Sequence, residues 1–336
     1  MNQLTKQSTK LFIYQTDCTD PARNLAAEEL LLGRVQPGEV GLYLWQNAHT
    51  IVIGRNQDAW RECKVDLFEQ EGGRLVRRLS GGGAVYHDMG NQNFTFVARK
   101  DRYDLTRQTE VIRLAARRFG IDAVRSGRND ILAEGRKFSG NAFYQSGSQC
   151  YHHGTVLIDT DMARLGRYLQ PHPEKLAGKG VASVTSRVIN LKELHPDLTA
   201  AAMRLALTEA FEEVYGASAV QLTADDLSAA DWDALTAHYA DPAWRLGTPQ
   251  PYTMRLDQRF EFGETDIHLT IEAGVVIRAE VFSDAMDADF APALAGALTG
   301  TAYTNRDMAM SLESLLERWP DEAPLVQAWL RESAIL

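Results

Sequence analysis

Two short segments that combine glycines with fixed cations hold the residues of this chain best suited to chemistry. The first is RRLSGGGAVYHD at 77–88, and the second is GRKFSGNA at 135–142. Glycine lacks a Cβ, so backbone N–H groups in such segments can close around an oxyanion while the flanking cations neutralise its charge. Together the segments predict a site for a phosphate-bearing ligand with a carboxylate beside it.

The glycine run at 81–83 is weak evidence when it is taken alone. No Gly-Lys-Ser/Thr follows at the required spacing, so the run is not a Walker A loop. It leads into the strand-like residues 84–86 and not into a helix, which argues against a dinucleotide-binding fingerprint. A glycine-rich hairpin explains the run equally well.

Lys137 lies in a more specific setting. The pattern predicts a strand at 130–133, a tight turn at 134–135 and a second strand at 136–138. Lys137 then follows the turn directly and lies beside residues 139–140, where a serine and a glycine let the chain approach a ligand closely. A solvated surface lysine is the alternative, because most lysines are exposed.

A longer set of motifs, spread over most of the chain, resembles the lipoate–protein ligases. In chain order the motifs are NLAAEE (24–29), GRNQDAW (54–60), RRLSGGGAV (77–85), NFTF (93–96), SGRND (126–130), KFSGNA (137–142), HHGT (152–155) and KLAGKGVASVTSRVINL (175–191). No single motif is specific, but so many of them in the family's order are. The resemblance implies a large mixed-sheet α/β (α+β) catalytic domain, of the kind shared with biotin protein ligases, and a small α/β accessory domain at the C-terminus.

The resemblance also implies a two-step reaction. The carboxylate of lipoate attacks the α-phosphate of ATP to give lipoyl-AMP and pyrophosphate, and a lysine of an acceptor protein then attacks the mixed anhydride. Lys137 is the expected catalytic residue, because its cation can bridge the carboxylate and the α-phosphate and offset their repulsion. Asp130 is the expected ligand of Mg²⁺, a hard cation that prefers oxygen ligands and substrate phosphates. Capping of the hairpin is the alternative role for Asp130.

The remaining site residues follow from the same resemblance. The expected ATP and adenylate contacts are Arg78, Gly82, Gly83, Ala84, Val85, Tyr86, Asn129, Asp130, Lys137, Lys179 and Arg187. The expected lipoate contacts are Arg78, Ser80, Val85, His87, Lys137, Gly140 and Ala142, with Phe138 as a further apolar neighbour. The segment 172–191 is expected to fold over the acyl-adenylate and to shield it from water, and a plain surface connection is the alternative.

The composition is that of a soluble globular protein with two domains. Of 336 residues, 45% are hydrophobic and 24% are charged, and a proline-rich stretch near 242–251 marks a linker. We therefore expect the catalytic domain at 1–246 and the accessory domain at 252–336. No apolar stretch reaches the ~20 residues that a membrane span requires. The polar start of the chain lacks the apolar core of a signal peptide, so a cytoplasmic location is expected.

Hydrophobic periodicity favours an α/β fold. Strands are expected at 11–14, 42–45, 50–53, 93–98 and 154–158, and in the accessory domain at 260–262, 267–271 and 275–281. Helices are expected to begin after Asp20 and to occupy 105–119, 161–169, 291–298 and 308–319. Strands joined by hairpins argue for a mixed sheet and against a doubly wound parallel one.

Charge is distributed unevenly along the chain. Residues 221–336 carry 20 acids and 7 bases, a net charge of −13, whereas residues 1–220 carry 25 acids and 28 bases, a net charge of +3. This balance does not indicate a nucleic-acid binder, but a basic catalytic half can attract an acidic protein partner. Scattered surface charges are the alternative. By resemblance, the partners are the acceptor lipoyl domains of 2-oxo acid dehydrogenase E2 subunits and the glycine-cleavage carrier protein.

Three other functions remain possible from the sequence. A biotin protein ligase uses similar chemistry, but its adenylate loop differs from RLSGGG at 78–83. A cysteine-dependent octanoyl- or lipoyl-transferase places its nucleophile shortly before the lysine hairpin, where this chain has SGRND at 126–130. A non-enzymatic lipoate-binding adaptor does not need Arg78, Asp130 and Lys137 together, and it should not bind ATP.

The cysteines and the histidine pair do not indicate a metal site. Cys18, Cys63 and Cys150 fit no zinc pattern and no disulfide framework, so reduced thiols are expected, with a nucleophilic Cys150 as the alternative. His152 and His153 could hardly share a metal, because adjacent strand residues point to opposite faces of a sheet.

Overall fold

The computed structural model describes residues 9–127, 129–170, 187–248 and 250–333. The chain divides into two compact units. Unit 1 consists of Met1–Val52, Trp60–Val76 and Val85–Arg245, and unit 2 of Ile53–Ala59, Arg77–Ala84 and Leu246–Leu336, as far as these residues are described. Two short segments of the N-terminal half therefore cluster with the C-terminal residues. The expected domains at 1–246 and 252–336 stay a prediction.

The strands and helices are numbered here in chain order. The strands are β1 (Lys10–Gln15), β2 (Glu39–Trp45), β3 (Thr50–Ile53), β4 (Arg74–Arg77), β5 (Val85–His87), β6 (Asn91–Arg99), β7 (Ala123–Ser126), β8 (Asp130–Ala133), β9 (Arg136–Ser146), β10 (Gln149–Leu157), β11 (Ala219–Leu222), β12 (Met254–Phe260), β13 (Gly263–Glu272) and β14 (Val275–Ser283). The helices are α1 (Pro21–Arg34), α2 (Ala59–Glu62), α3 (Val65–Gln70), α4 (Leu105–Arg117), α5 (Met162–Tyr168), α6 (Ala200–Tyr215), α7 (Ala229–Ala240), α8 (Pro242–Leu246), α9 (Phe290–Leu298), α10 (Asn305–Ser311) and α11 (Ala323–Glu332). Within the described ranges, no helix is long and apolar enough to cross a membrane.

Unit 1 is built on an eight-stranded mixed sheet with the order β11-β1-β2-β6-β10-β9-β8-β7. β1 runs parallel to β2 and β11, and the other neighbouring strands are antiparallel. The mixed order confirms the predicted α/β class. A smaller sheet has the order β4-β3-β5.

The two faces of this sheet differ in what they bury. Phe94 and Phe96 of β6 pack into the main apolar core with α4 and α6, through residues such as Ala115 and Phe211. Thr95, between the two phenylalanines, instead contacts the carboxylate of Glu28 on α1. The alternation of a strand thus separates an apolar face from a face with buried polar groups.

Local sequence chemistry places most of the main elements where they were predicted, but the strand predicted at 260–262 is wrong, because β12 ends at Phe260 and residues 261–262 form the turn into β13. Asp20 caps α1, since its side chain accepts from two N–H groups of the first turn, and Pro21 opens the helix. β1, β2, β3 and β6 confirm their predicted positions, and β3 matches at both ends. α4 ends at Arg117, two residues before the predicted end, and the helix predicted at 308–319 is instead α10 followed by a 3₁₀ turn.

Unit 2 combines a three-stranded antiparallel sheet, β12-β13-β14, with helices α9 to α11. Gly274 lies in the turn between β13 and β14 with a φ of 78°. The N-terminal segments of this unit are bound by backbone hydrogen bonds: Ser283 N–H donates to the Asn56 carbonyl at 3.0 Å, and Gly82 N–H donates to the Ala285 carbonyl at 3.1 Å. The glycine run therefore packs on residues that follow β14.

Candidate active site

Lys137 and Asp130 form the central charged pair of unit 1. Lys137 Nζ lies 2.7 Å from Asp130 Oδ1, and the two side chains are 34% and 35% exposed. Lys137 is the second residue of β9, and Asp130 is the first residue of β8. The structure thus brings the predicted catalytic lysine and the predicted metal ligand together at a solvent-accessible position.

A tight turn and a bulge place this pair. Glu134 and Gly135 have φ values of 49° and 75°, which is the left-handed backbone that a two-residue hairpin turn requires. The pairing of β8 with β9 then shifts by one residue between Ile131 and Leu132. Such a bulge re-aims a side chain in the middle of a ladder.

Gly140 provides the space for the lysine. It pairs directly with Asp130, and a Cβ at position 140 would lie 2.9 Å from both Cε and Nζ of Lys137. The Lys137 side chain therefore runs over the bare Cα of Gly140 to reach Asp130. Gly140 and the nearby Ala142 were both predicted as lipoate contacts, and Ala142 is nearly buried.

Asn129 and Arg187 also lie at this site. Asn129 shares three hydrogen bonds with Asn141, between 2.9 and 3.1 Å. The carbonyl of Arg187 accepts from Lys137 N–H at 2.8 Å, and Ile189 N–H donates back to the Lys137 carbonyl at 2.9 Å. The end of the predicted adenylate segment thus runs beside Lys137. Lys179, and residues 172–186 of that segment, lie outside the described residues.

A buried polar chain lies on the same face of the sheet and was not predicted. His153 Nδ1 is 2.8 Å from Glu28 Oε1, the same oxygen accepts from Thr95 Oγ1 at 2.6 Å, and Trp45 Nε1 donates to Thr95 Oγ1 at 3.1 Å. His153 pairs with Ala142 across β10 and β9. In the sequence, only the carboxylate of Glu28, within the helix motif at 24–29, indicated that such contacts could form.

His152 points to the opposite face, as predicted for adjacent strand residues. Its ring nitrogens meet Gln108 and Asn141, not Glu28. Among the described residues, no group of three or more His, Cys, Asp or Glu side chains is arranged to hold a metal ion. A Mg²⁺ ion held by one carboxylate and substrate phosphates needs no such group, and the partly exposed Asp130 fits that arrangement.

Strand β5 divides its three predicted residues between two faces. The buried His87 has its Nδ1 3.3 Å from Asn47 Nδ2, and its ring meets Trp45 edge-on. Tyr86 is turned the other way, with its hydroxyl 3.0 Å from His49 Nδ1 and its ring among aromatic side chains. Val85 shares the face of His87 by alternation, so a ligand on that face meets the side chains of Val85 and His87 but not that of Tyr86.

In unit 2, Arg78 supports the glycine run from within. Its Nε donates to Ser80 Oγ at 3.0 Å, and its Nη2 donates to the carbonyls of Gly81 and Gly83 at 2.7 and 2.9 Å. Ser80 is fully buried beside it. The guanidinium thus holds the carbonyls of the run inward, while Gly82 takes a φ of 85°. Contact of Arg78 and Ser80 with a ligand stays a prediction.

Two family models match the chain. The lipoyl protein ligase A/B catalytic domain matches residues 20–212, and the bacterial lipoate protein ligase C-terminus matches residues 249–319. A lipoate-protein ligase A from Psychrobacter cryohalolentis is 38% identical over 332 residues, which cover 96% of this chain and 98% of that protein.

Solved structures give the same assignment of fold. P. falciparum LipL1 in complex with lipoate has a TM-score of 0.83 at 25% identity and covers 96% of this chain and 100% of its own. An archaeal bipartite lipoate protein ligase with its E2 lipoyl domain, from Thermoplasma acidophilum, has a TM-score of 0.61 at 25% identity and covers 74% and 100%. A lipoate-protein ligase A bound with ATP has a TM-score of 0.60 at 25% identity and covers 72% and 99%.

Proposed function

This chain belongs to the lipoate–protein ligase family, and we propose that it performs ATP-dependent lipoate ligation with Lys137 and Asp130 at the centre of the site. The enzyme is a ligase that acts on lipoate and ATP, in keeping with its relatives. The observation that carries the residue assignment is the Lys137–Asp130 pair, held at 2.7 Å on a bulged hairpin.

The chemistry requires two anions to meet. A carboxylate oxygen of lipoate attacks the α-phosphorus of ATP, the bond from that phosphorus to the bridging oxygen breaks, and pyrophosphate leaves. Lys137 then stabilises the negative charge shared by the carboxylate and the α-phosphate, because a preorganised cation needs no reorganisation as charge develops. In the second step an acceptor amine attacks the acyl carbon, AMP leaves and the amine loses a proton.

Asp130 is our proposed Mg²⁺ ligand. Mg²⁺ bound there with the substrate phosphates would neutralise charge on the triphosphate. In the structure described here Asp130 holds the ammonium of Lys137, so the same carboxylate orients the catalytic cation. The remaining proposed adenylate contacts are Arg78, Gly83, Ala84, Val85, Tyr86, Asn129, Lys179 and Arg187.

The acyl chain is proposed to lie on the face of the sheet that carries Lys137. Gly140 and Ala142 are small and lie along that face. The further lipoate contacts proposed from the family resemblance are Arg78, Ser80, Val85 and His87. Each CH₂ that leaves water there contributes about 0.8 kcal/mol. A chain of eight carbons should therefore bind far better than one of four.

The acceptor is proposed to be a lipoyl domain, as in E2 subunits of 2-oxo acid dehydrogenases or the glycine-cleavage carrier protein. The archaeal relative is solved with its E2 lipoyl domain, and the basic half of this chain suits an acidic partner. A cytoplasmic location is proposed from the sequence alone.

A cysteine-dependent acyl transfer has little support. Burial raises the pKa of the Cys150 thiol, and a thiol, unlike a thiolate, is a poor nucleophile. Cys63 is also buried.

Lipoate-dependent exchange of pyrophosphate into ATP tests the proposed first step. The full chain should catalyse exchange with lipoate and Mg²⁺, and omission of lipoate or its replacement by biotin should abolish it. Exchange that ignores lipoate, or that proceeds equally with biotin, would contradict the proposal. Transfer without ATP, from an acylated carrier protein, would instead favour a transferase.

A further inference from the structure

Asn141 and His152 lie behind the Lys137–Asp130 pair and contact neither residue through their side chains in the described structure. Asn141 follows Gly140 on β9, and its side chain is on the face of the sheet opposite to Gly140. It is 7% exposed, and His152, on the neighbouring strand β10, is 1% exposed. Both are buried polar side chains, and such side chains are stable in a protein interior when they are hydrogen-bonded.

The first contact is a reciprocal bracket between Asn141 and Asn129. Asn141 N–H and Asn141 Nδ2 both donate to the Asn129 carbonyl at 2.9 Å, and Asn129 Nδ2 donates to the Asn141 carbonyl at 3.1 Å. Asn129 directly precedes Asp130 in the chain. The bracket therefore fixes the backbone immediately before Asp130.

His152 holds the other end of the Asn141 amide. Its Nε2 lies 2.8 Å from Asn141 Oδ1, and an amide oxygen can only accept, so Nε2 carries the proton. Burial lowers the pKa of His152 to about 3, so the ring is neutral at physiological pH and Nδ1 is an acceptor.

Gln108 completes the arrangement on α4. Its Oε1 is placed 3.2 Å from His152 Nδ1, where neither atom can donate to the other. Amide orientation is assigned from the hydrogen-bond network, and turning the Gln108 amide lets Nε2 donate to Nδ1. The turned amide also engages an Nε2 that otherwise reaches no acceptor among the described residues.

The ring of His152 has little freedom to turn away. Its centroid lies 5.5, 5.7 and 5.0 Å from the rings of Phe94, Phe96 and Phe143. A packed ring with a single tautomer gives Asn141 one orientation, and Asn141 in turn gives Asn129 one position. The network is thus a continuous, directional support that ends at the residue before Asp130.

We propose that His152 and Asn141 are positioning residues for the Lys137–Asp130 pair, a role that rests on the proposed ligase function. The alternative is that His152 is a core histidine whose hydrogen bonds only stabilise the fold. The two roles differ in what a substitution changes: a positioning role lowers the rate of adenylation in a folded enzyme, whereas a purely structural role lowers only stability.

His152→Phe in the full chain keeps the ring and removes both hydrogen bonds. We expect it to lower kcat for lipoate-dependent pyrophosphate exchange by about 10-fold or more, since small misplacements of catalytic groups cost up to about 100-fold. KM for lipoate should change little. His152→Gln, whose Nε2 can still donate to Asn141, should recover most of the lost kcat. His195→Phe, a histidine of the same unit outside the network, is the matched control and should keep wild-type kcat.

A double-mutant cycle with Asp130→Asn tests the direction of support. If His152 acts through Asp130, the loss in the double variant is smaller than the product of the two single losses. Fully multiplicative losses would overturn the proposal. So would wild-type kcat in a folded His152→Phe enzyme, or a His152→Gln enzyme no better than His152→Phe.

A second variant covers the case in which His152→Phe does not fold, as judged by circular dichroism. Asn141→Ala removes the bracket and leaves the histidine in place, and we expect a comparable loss of kcat. Wild-type kcat in Asn141→Ala would overturn the proposal. An inactive wild-type enzyme in the same assay would instead contradict the proposed function, so the two failures are distinguishable.

Discussion

At the scale of single residues, the chemistry is concentrated in one lysine whose position is fixed by its neighbours. Lys137 Nζ forms an ion pair with Asp130. The lysine side chain passes over Gly140, where a Cβ would collide with it. A cation on a long side chain has many rotamers, and their loss costs free energy on binding. Because the ammonium is confined before the substrates bind, this loss of rotamer entropy occurs during folding and does not add to the barrier of the reaction.

We expect Lys137→Ala to lower the rate of lipoyl-AMP formation by about 100- to 1,000-fold, the usual effect of removing one preorganised charge. The fold should persist, because the side chain is partly exposed. Lys10→Ala is a matched control, since Lys10 is exposed at the start of β1, which β2, β6 and β10 separate from β9 in the sheet. Pyrophosphate exchange measures both variants, and a near wild-type rate in Lys137→Ala would refute the role.

The lowered pKa of the buried His152 should make the stability of the protein depend on pH. Its pKa is lowered to about 3 in the folded state, so between about pH 3 and 6.5 the unfolded state binds a proton that the folded state does not. The free energy of unfolding from this residue therefore falls as pH is lowered through that window, by up to about 1.4 kcal/mol per pH unit. His152→Phe should lose less stability than wild type between pH 6.5 and 4.5 in urea denaturation. Parallel curves would show that His152 titrates normally.

At the scale of elements, the hairpin of β8 and β9 could be predicted from the sequence, but the bulge in the pairing of the two strands could not. The turn at 134–135 is visible in the sequence, because a glycine follows a short strand. The bulge after Ile131 has no such signal, since it depends on Phe138 being drawn into the core. The position of Lys137 after the turn was therefore predictable, but its aim at Asp130 was not.

The buried networks show the same limit. His152 and His153 could be assigned to opposite faces from strand alternation alone. Their partners, Gln108 and Glu28, lie on helices 44 and 125 residues away in the chain, and helix packing decides which side chains they meet. Tyr86 shows the same limit. Its motif predicts a contact with the adenylate, whereas its side chain packs in an aromatic cluster.

Gly140→Ala tests the placement of the lysine by the strand. The new Cβ would lie 2.9 Å from the flexible end of Lys137 and 4.0 Å from Thr155 Oγ1, so the fold should be retained while the ammonium shifts. We expect adenylation to slow by about 10- to 100-fold. Gly166→Ala, which meets nothing within 4 Å on helix α5, should keep wild-type activity. Full activity of Gly140→Ala would mean that the lysine does not need this path.

At the scale of the whole molecule, unit 2 contains pieces of sequence that the motifs assign to catalysis. The segment 77–84 carries Arg78 and the glycine run, yet it packs with residues 285–286 near the C-terminus. The clustering of Ile53–Ala59 and Arg77–Ala84 with Leu246–Leu336 is a long-range property that leaves no local signature in the sequence.

Two neighbouring glycines allow a matched test of this packing. A Cβ on Gly81 would overlap the backbone oxygen of Ala285, whereas a Cβ on Gly83 meets nothing within 4 Å. Gly81→Ala should therefore destabilise the protein by about 1–3 kcal/mol, as overpacking does. Gly83→Ala should leave the melting temperature nearly unchanged. Equal melting temperatures for the two variants would argue against the contact.

The most direct test of the central claim is intact mass spectrometry of an apo lipoyl domain after incubation with the full chain, ATP, Mg²⁺ and lipoate. The account predicts a mass gain of one lipoyl group on the acceptor that requires both ATP and lipoate and is lost with the Lys137→Ala enzyme. No gain in the complete mixture would contradict the account, and so would an equal gain without ATP.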